Sequence, residues 1–342
     1  MAASTCLYGC TGSFKTSQVK WFSHYIAETT GKATLLLSCD GGGWGACEPE
    51  IAEGMILPYR CDSATVPMPI LQMISKGYWP RNPMASTPAE LDLQPVNWDD
   101  VGGIAVEGWT SISAVIMRFL PASGISVGGE DRNKLGGFAQ QVTVGGVVQN
   151  LNFRSNTRGD YGFVQNHLYG LVMNFNSLPC KRVLYTALES KTEDDARTTV
   201  YGPSISGKKA TAECGAWVGD LLHAQDYQII RNVEVPDPSD PRKMVQTQVA
   251  EMKVRVYFKK HPDPATLIPY PAKPRVTPEK MAALDERFPG GYFEPTTEGG
   301  LDIYLKTVDE LSVDAGKSPA LAKWRERMDQ KLGRNIAAVA TK

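Results

Sequence analysis

The sequence predicts an α/β fold in which a mainly parallel central sheet is flanked by helices. Continuous apolar runs, typical of parallel strands that are covered on both faces, occur at residues 33–39, 101–107 and 182–187. Helical periodicity is found at residues 17–29, 109–120 and 161–176. Strands and helices that alternate in this way indicate the α/β class. The chain of 342 residues is long enough for one large domain, or for one domain with extensions.

A Gly-rich run follows the first predicted strand. It reads Gly-Cys-Thr-Gly-Ser-Phe-Lys-Thr-Ser over residues 9–17 and leads directly into a predicted helix. Strand, Gly-rich loop, Lys-Thr and helix is the order of a phosphate-binding P-loop, whose backbone amides surround phosphate oxygens. Lys15 would reach the β- and γ-phosphates, and Thr16 would ligate Mg²⁺. The expected nucleotide-binding residues are Gly9, Cys10, Thr11, Gly12, Ser13, Phe14, Lys15, Thr16 and Ser17.

One position of this run departs from the P-loop pattern. The pattern G-x-x-x-x-G-K-[ST] has Gly where this chain has Phe14. The backbone at Phe14 must therefore keep a negative φ or bear the cost of the left-handed conformation. Its ring must also point away from the phosphates, toward the adenine or toward a neighbouring subunit.

Carboxylates stand at the carboxyl ends of two predicted strands, where ligands bind in open α/β sheets. Glu107 would hold Mg²⁺ through water; alternatively, it is a carboxylate stabilised by the dipole of the following helix. Asp40 would orient or deprotonate the water that attacks a phosphoryl group, or would cap the Gly-rich turn after it. Thr186 and Glu189, at the end of another strand, either sense the γ-phosphate or are solvated.

The rest of the chain is predicted to extend this core, which covers residues 1–260. Residues 121–160 form an insertion with a β-hairpin around Gly145-Gly146, which is either a DNA-contacting loop or a surface hairpin or subunit contact. The sequence predicts a loop at residues 200–209 and a helix at residues 216–224. A second hairpin pairs residues 227–231 with 252–259. Residues 261–342 form an extended, Pro-rich C-terminal tail that ends in an amphipathic helix at residues 318–339.

Composition restricts the classes of partner. With 36 basic and 37 acidic side chains, the chain has no strongly electropositive body, so nucleic-acid binding would need a local basic patch or an assembled ring. No apolar run reaches the length of a membrane span, and residues 1–4 lack the features of a signal peptide. We therefore expect a cytoplasmic protein without membrane contact. The seven cysteines have no C-x-x-C spacing and are expected to be reduced structural thiols.

Together these segments resemble the phage-encoded RecA-like P-loop ATPases, which include the Sak-type single-strand annealing group and phage AAA-type nucleotide-binding proteins. The resemblance covers residues 4–225 and is most specific in the P-loop and in the Tyr-Gly-Pro-Ser-Ile-Ser-Gly-Lys run at residues 201–208. It implies a RecA-like P-loop NTPase fold with ATP and Mg²⁺ as ligands. Glu107 matches the Walker B Asp of that family, and Asp40 matches an acidic residue that is commonly Glu.

The resemblance also implies partners and further catalytic residues. RecA-like proteins assemble head to tail, and by resemblance Lys208 and Lys209 would reach the γ-phosphate of a neighbouring subunit; alternatively, they are a solvated pair on a loop. The catalytic residues expected are thus Lys15, Asp40, Glu107, Lys208 and Lys209. The implied function is ATP hydrolysis in DNA recombination, annealing or replication, with single-stranded DNA or a single-strand DNA-binding protein as partner. The alternatives are a nucleotide-binding assembly protein with little turnover and, more weakly, a small-molecule or nucleotide kinase.

Overall fold

Strands and helices alternate along much of the chain. The computed structural model describes residues 2–39, 44–61, 68–82, 91–123, 137–144, 147–154, 158–193, 199–206, 208–237 and 240–313. The strands are β1 (Ala3–Gly9), β2 (Ala33–Ser38), β3 (Ile56–Arg60), β4 (Tyr78–Pro80), β5 (Leu93–Pro95), β6 (Val101–Glu107), β7 (Gly137–Val144), β8 (Val147–Arg154), β9 (Arg182–Glu193), β10 (Thr199–Pro203), β11 (Asp220–Asp237), β12 (Asp240–Tyr257), β13 (His261–Pro262), β14 (Pro269–Tyr270) and β15 (Tyr292–Phe293). The α-helices are α1 (Lys15–Thr30), α2 (Glu48–Ala52), α3 (Met68–Ser75), α4 (Trp109–Ser123), α5 (Arg158–Ser177), α6 (Lys208–Trp217), α7 (Pro278–Arg287) and α8 (Leu301–Val313).

The central sheet is mainly parallel, which confirms the predicted α/β class. Its strand order is β15-β12-β11-β1-β9-β6-β2-β3, with β10 paired to the far end of β9. All pairs from β11 to β3 are parallel, whereas β12, β15 and β10 are antiparallel to their neighbours. β1 lies in the middle of the sheet, where Gly9 is opposite Leu188 on one side and Ala224 on the other.

Helices cover both faces of this sheet. One hydrophobic cluster contains side chains of α3, α4, α5 and α6, and the other contains side chains of α1, α7 and α8. Successive residues of β1 alternate between them: Tyr8 belongs to the first cluster and Leu7 to the second. This burial on both faces explains why the parallel strands are continuously apolar. Gly31 caps the carboxyl end of α1: its φ of 69° is left-handed, and its N–H donates to Ala27 O.

Three predictions for residues 199–224 are wrong. The Tyr-Gly-Pro run is the edge strand β10 rather than a loop, and Lys208 and Lys209 begin helix α6 rather than lying on a loop. Gly and Pro favour a loop in sequence, yet Pro203 is tolerated where β10 ends, because edge strands accept Pro. The helix predicted at residues 216–224 is mostly strand β11, because a short apolar run does not distinguish the two structures by periodicity.

Both predicted hairpins are present. β7 and β8 pair antiparallel inside the predicted insertion and are longer than expected, while Gly145 and Gly146 lie outside the described residues. β11 and β12 pair over nearly their whole length, with Tyr227 opposite Lys253.

The tail is extended only in its first part. It forms the small β13–β14 hairpin, then α7, the short strand β15 beside β12, and α8 against α1. Its Pro-rich composition did not predict α7 and α8. The amphipathic helix predicted at residues 318–339 lies outside the described residues. In the described part of the chain, no helix combines the length and the apolar character that crossing a membrane requires.

Candidate phosphate-binding site

The Gly-rich loop leaves the sheet at the end of its central strand. A Cβ at Gly9 would lie 2.2 Å from the carbonyl oxygen of Ala224, so only glycine fits between β1 and β11 at this point. Ser13 is buried and closes the loop: its Oγ donates to Cys10 O at 2.7 Å, and its N–H donates to the same oxygen at 3.3 Å. The loop is thus a tight turn that delivers the chain into α1.

Lys15 places its ammonium group inside this turn. Its Nζ donates to Gly9 O at 3.0 Å, to Cys10 O at 2.5 Å and to Ser13 Oγ at 3.1 Å. The positive end of the α1 dipole lies at the same place, because Lys15 is the first residue of the helix. Ammonium and helix terminus together favour a bound anion.

Phe14 adopts the left-handed conformation, which is one of the two alternatives stated above for this position. Its φ of 54° and ψ of 29° place it in the region that glycine occupies in the P-loop pattern. For a residue with a side chain, this conformation costs about 1–2 kcal/mol. The ring is 54% exposed and lies beside Ser17 and Trp21 at the mouth of a pocket.

Thr16 and Glu107 meet although they are far apart in sequence. Thr16 Oγ1 donates to Glu107 Oε1 at 2.5 Å, and Ser38 Oγ donates to Glu107 Oε2 at 3.0 Å. Glu107 is only 5% exposed, at the carboxyl end of β6. Parallel pairing of β2 with β6 puts Ser38 directly opposite it.

These oxygen donors fit Mg²⁺. This cation takes oxygen ligands, and protein sites supply one or two carboxylates while substrate phosphates and water complete the shell. Within the described ranges, no group of three or more His, Cys, Asp or Glu side chains is arranged to hold a metal ion. Thr16 with Glu107 is therefore a suitable partial site, of the kind that relies on a bound phosphate.

A Glu–His–His chain, centred on the buried His223, lies beside the loop and was not predicted from the sequence. Glu189 Oε2 is 2.7 Å from His223 Nε2, and His223 Nδ1 is 2.8 Å from His261 Nε2. Cys10 Sγ donates to the same Glu189 oxygen at 3.8 Å. Glu189 and His223 belong to β9 and β11, on opposite sides of β1, and Gly9 has no side chain to separate them.

Burial keeps both histidines of this chain neutral. It lowers the pKa of His223, which is stacked against Tyr270 with ring centroids 4.1 Å apart. Burial and the nearby His223 lower the pKa of His261 to about 4. A neutral His223 that donates from Nε2 to Glu189 must accept at Nδ1, so His261 is the donor of the second hydrogen bond. Burial and Glu189 likewise raise the pKa of the Cys10 thiol.

The structure leaves the predictions for Asp40, Lys208 and Lys209 untested and places Thr186 elsewhere. Asp40 lies outside the described residues, and so do the side chains of Lys208 and Lys209. Thr186 is buried and accepts a hydrogen bond from Gly108 N at 3.1 Å, which ties β9 to the turn after β6.

No protein-family model matches this chain, and no curated protein matches it. The geometry of the loop and its neighbours therefore carries the functional argument.

Proposed function

We propose that the protein binds ATP with Mg²⁺ on the loop at residues 9–17 and is a RecA-like P-loop ATPase. The observation that carries this proposal is the meeting of Thr16 and Glu107 beside the Lys15 ammonium group, at the amino end of α1. A hydroxyl, a carboxylate and an ammonium group around a helix terminus form a set suited to a magnesium–polyphosphate ligand.

Each residue has a distinct part in this site. The amides at the start of α1 and the Lys15 ammonium bind and orient the phosphate oxygens and balance their charge. Thr16 and Glu107 would hold Mg²⁺, which when bound neutralises charge on the transferred phosphoryl group. Gly9 lets the loop approach β11 closely, so the site is supported by the middle of the sheet.

Hydrolysis further requires a group that orients or deprotonates water. Glu189 is suitably placed next to the loop, since its carboxylate contacts the Cys10 thiol. His223 holds this carboxylate from the other side. Asp40, after β2, is the alternative taken from the sequence. In either case the water would attack the γ-phosphorus, the bond to the ADP oxygen would break, and the carboxylate would receive the proton.

The proposal extends to assembly and to DNA. By its resemblance to RecA-like proteins, the chain would form a head-to-tail homo-oligomer in which Lys208 and Lys209 act on the nucleotide of the next subunit. Single-stranded DNA or its binding protein would be the partner. The near-zero net charge of the chain supports subunit assembly more than direct DNA binding by a single subunit.

An ATPase assay with and without single-stranded DNA, on the wild type and on Lys15→Ala, tests the proposal. We expect turnover that Lys15→Ala abolishes. Turnover that survives this substitution would refute the mechanism.

A second function, nucleotide binding for assembly with little turnover, is favoured by one observation. Phe14 stands at the position where catalytic P-loops have glycine. If this reading is correct, ATP raises the melting temperature of the wild type, and no turnover occurs even when single-stranded DNA is present.

A further inference from the structure

A pocket of about 420 Å³ opens next to the Gly-rich loop. Phe14, Ser17, Gln18 and Trp21 of the α1 segment form one wall, β12 at residues 251–254 forms a second, and the tail at residues 294–297 forms a third. The volume is in the range of pockets that hold small organic ligands. Neither the loop motif nor the Glu107 site accounts for it.

The pocket lies on the opposite side of the loop from Glu107. In the sheet, β6 is on one side of β1 and β12 is on the other. Lys15 and Thr16 lie between Phe14 and Ser17 along the chain, and Thr16 is turned toward Glu107. A triphosphate with its γ end at Thr16 and Glu107 would therefore direct its nucleoside end toward the pocket.

Two aromatic side chains make this pocket suitable for a nucleobase. Phe14 directly precedes α1 and Trp21 lies on that helix, and both line the pocket together with Ser17 and Gln18. Aromatic rings stack on bases; Phe14 is 54% exposed, whereas Trp21 is partly buried. The polar side chains on the remaining walls, Lys253 and Thr296 among them, can hydrogen-bond a sugar or a base edge.

The conformation of Phe14 is a second, independent observation. A left-handed non-glycine residue is strained, and such strain concentrates at ligand sites. Glycine at this position would remove both the strain and the ring. The chain instead has a half-exposed phenyl ring that faces the pocket.

The walls of the pocket are held in place from behind. Gln18 is buried, and its Oε1 accepts from Leu301 N at 3.0 Å, which attaches the tail to α1. Glu294 Oε1 accepts from Tyr227 OH at 2.7 Å and from Arg255 Nε at 3.0 Å. A pocket that is formed before its ligand arrives loses less entropy on binding.

We propose that this pocket is the nucleoside-binding part of the site, with Phe14 as the stacking platform, and that it selects purine over pyrimidine nucleotides. The selection follows from contact area, because a bicyclic purine covers more of an aromatic ring than a pyrimidine does. This inference rests on the proposed binding of a triphosphate by the loop.

Calorimetric titration of the full chain, with Mg²⁺ present, tests the inference. The ligands are ATP, CTP and inorganic tripolyphosphate, which has no nucleoside. The proteins are the wild type, Phe14→Gly and, as a control, Tyr161→Ala, which removes a half-exposed aromatic side chain of α5. Phe14→Gly restores the P-loop pattern, so it is expected to fold, and its melting temperature is measured alongside.

We expect the wild type to bind ATP more tightly than CTP. Phe14→Gly should weaken ATP binding about 5- to 150-fold, as the loss of base–aromatic stacking predicts, and should change tripolyphosphate binding less than about twofold. Tyr161→Ala should change neither.

The other outcomes are distinct. Unchanged ATP affinity in Phe14→Gly, equal weakening of ATP and tripolyphosphate, or equal wild-type affinity for ATP and CTP would overturn the inference and leave the proposed function standing. If the wild type binds neither ATP nor tripolyphosphate, the proposed function is overturned, and this inference with it.

Discussion

Replacing Glu107 separates its structural role from its proposed metal role. In Glu107→Gln, the amide oxygen can still accept from Thr16, and the amide nitrogen can donate to Ser38, because a hydroxyl both donates and accepts. The two hydrogen bonds lose their charge assistance, which is worth about 1 kcal/mol each, but a buried charge is also removed. We expect the free energy of unfolding to change by less than about 1 kcal/mol, because these effects oppose each other.

Glu107→Ala provides the contrast. It leaves the hydroxyls of Thr16 and Ser38 without this acceptor and creates a cavity at the end of β6. The Ser38 hydroxyl is fully buried and costs about 1–3 kcal/mol when unsatisfied, and the cavity adds to this, so we expect a loss of about 2–5 kcal/mol. Urea denaturation of both variants measures the difference.

The metal role is then tested on Glu107→Gln, which retains the fold. Without the carboxylate, Mg²⁺ should no longer strengthen ATP binding, and ATPase turnover should fall about 100-fold, which corresponds to about 2.7 kcal/mol of transition-state stabilisation. Magnesium titrations of ATP binding and turnover provide the readout. A response to Mg²⁺ within threefold of the wild type would refute this role and leave Glu107 as a carboxylate at the start of α4. A loss of more than about 3 kcal/mol of stability in Glu107→Gln would refute the argument that its amide keeps both hydrogen bonds.

Three further predictions concern stability, and urea denaturation measures each. Gly9→Ala should destabilise the fold by about 3 kcal/mol or more through its clash with a β11 carbonyl, whereas Gly170→Ala, an open helical position, should be neutral or stabilising by up to about 1 kcal/mol; equal effects would contradict the close β1–β11 approach. Arg182→Ala should cost about 3–5 kcal/mol, because it leaves Asp220 buried without its partner at 3.0 Å; a loss below 1 kcal/mol would show that this pair is not isolated from water. The pKa of His261 is about 4 in the folded protein, below its ordinary value in the unfolded chain. Between these two pKa values the unfolded chain binds more protons, so the free energy of unfolding falls as the pH falls through this range. Above the ordinary pKa of histidine this loss of stability is absent. The wild type should therefore be about 1–2 kcal/mol less stable at pH 5 than at pH 7, and His261→Gln should show a smaller difference; an equal difference in the two proteins would exclude His261 as the cause.

The parallel core was predictable because its strands carry an unambiguous pattern. β2 and β6 are short runs of apolar residues, and the prediction for β6 matches its observed limits of Val101–Glu107. β10 and α6 were not predictable in the same way. Gly202 and Pro203 indicate a loop locally, and only the pairing of β10 with the extension of β9 makes this segment a strand. The helices of the tail were hidden by its proline content.

The residues of the candidate site likewise divide into those that the sequence predicts and those that only the fold brings together. Lys15 and Thr16 follow from local spacing, and Glu107 follows from its place at a strand end, so a motif could find them. The chain from Glu189 through His223 to His261 depends on the register of three strands and on a tail hairpin. No periodicity in the sequence brings these residues together. Glu189 was identified from its place at a strand end, and the same search applied to β11, the other neighbour of β1, would have found His223.

The contacts of Thr16 and Lys15 would let the loop accept the proposed ligand without refolding. A hydroxyl has one hydrogen to donate and two lone pairs, so Thr16 can donate to Glu107 and still offer a lone pair to Mg²⁺. Lys15 now donates to the neutral carbonyls of Gly9 and Cys10, and it would gain when it exchanged them for phosphate oxygens, because the acceptors would then carry a full negative charge that attracts the ammonium group. Binding of the proposed ligand would therefore need a rotation of the Lys15 side chain, while the Thr16–Glu107 contact remained.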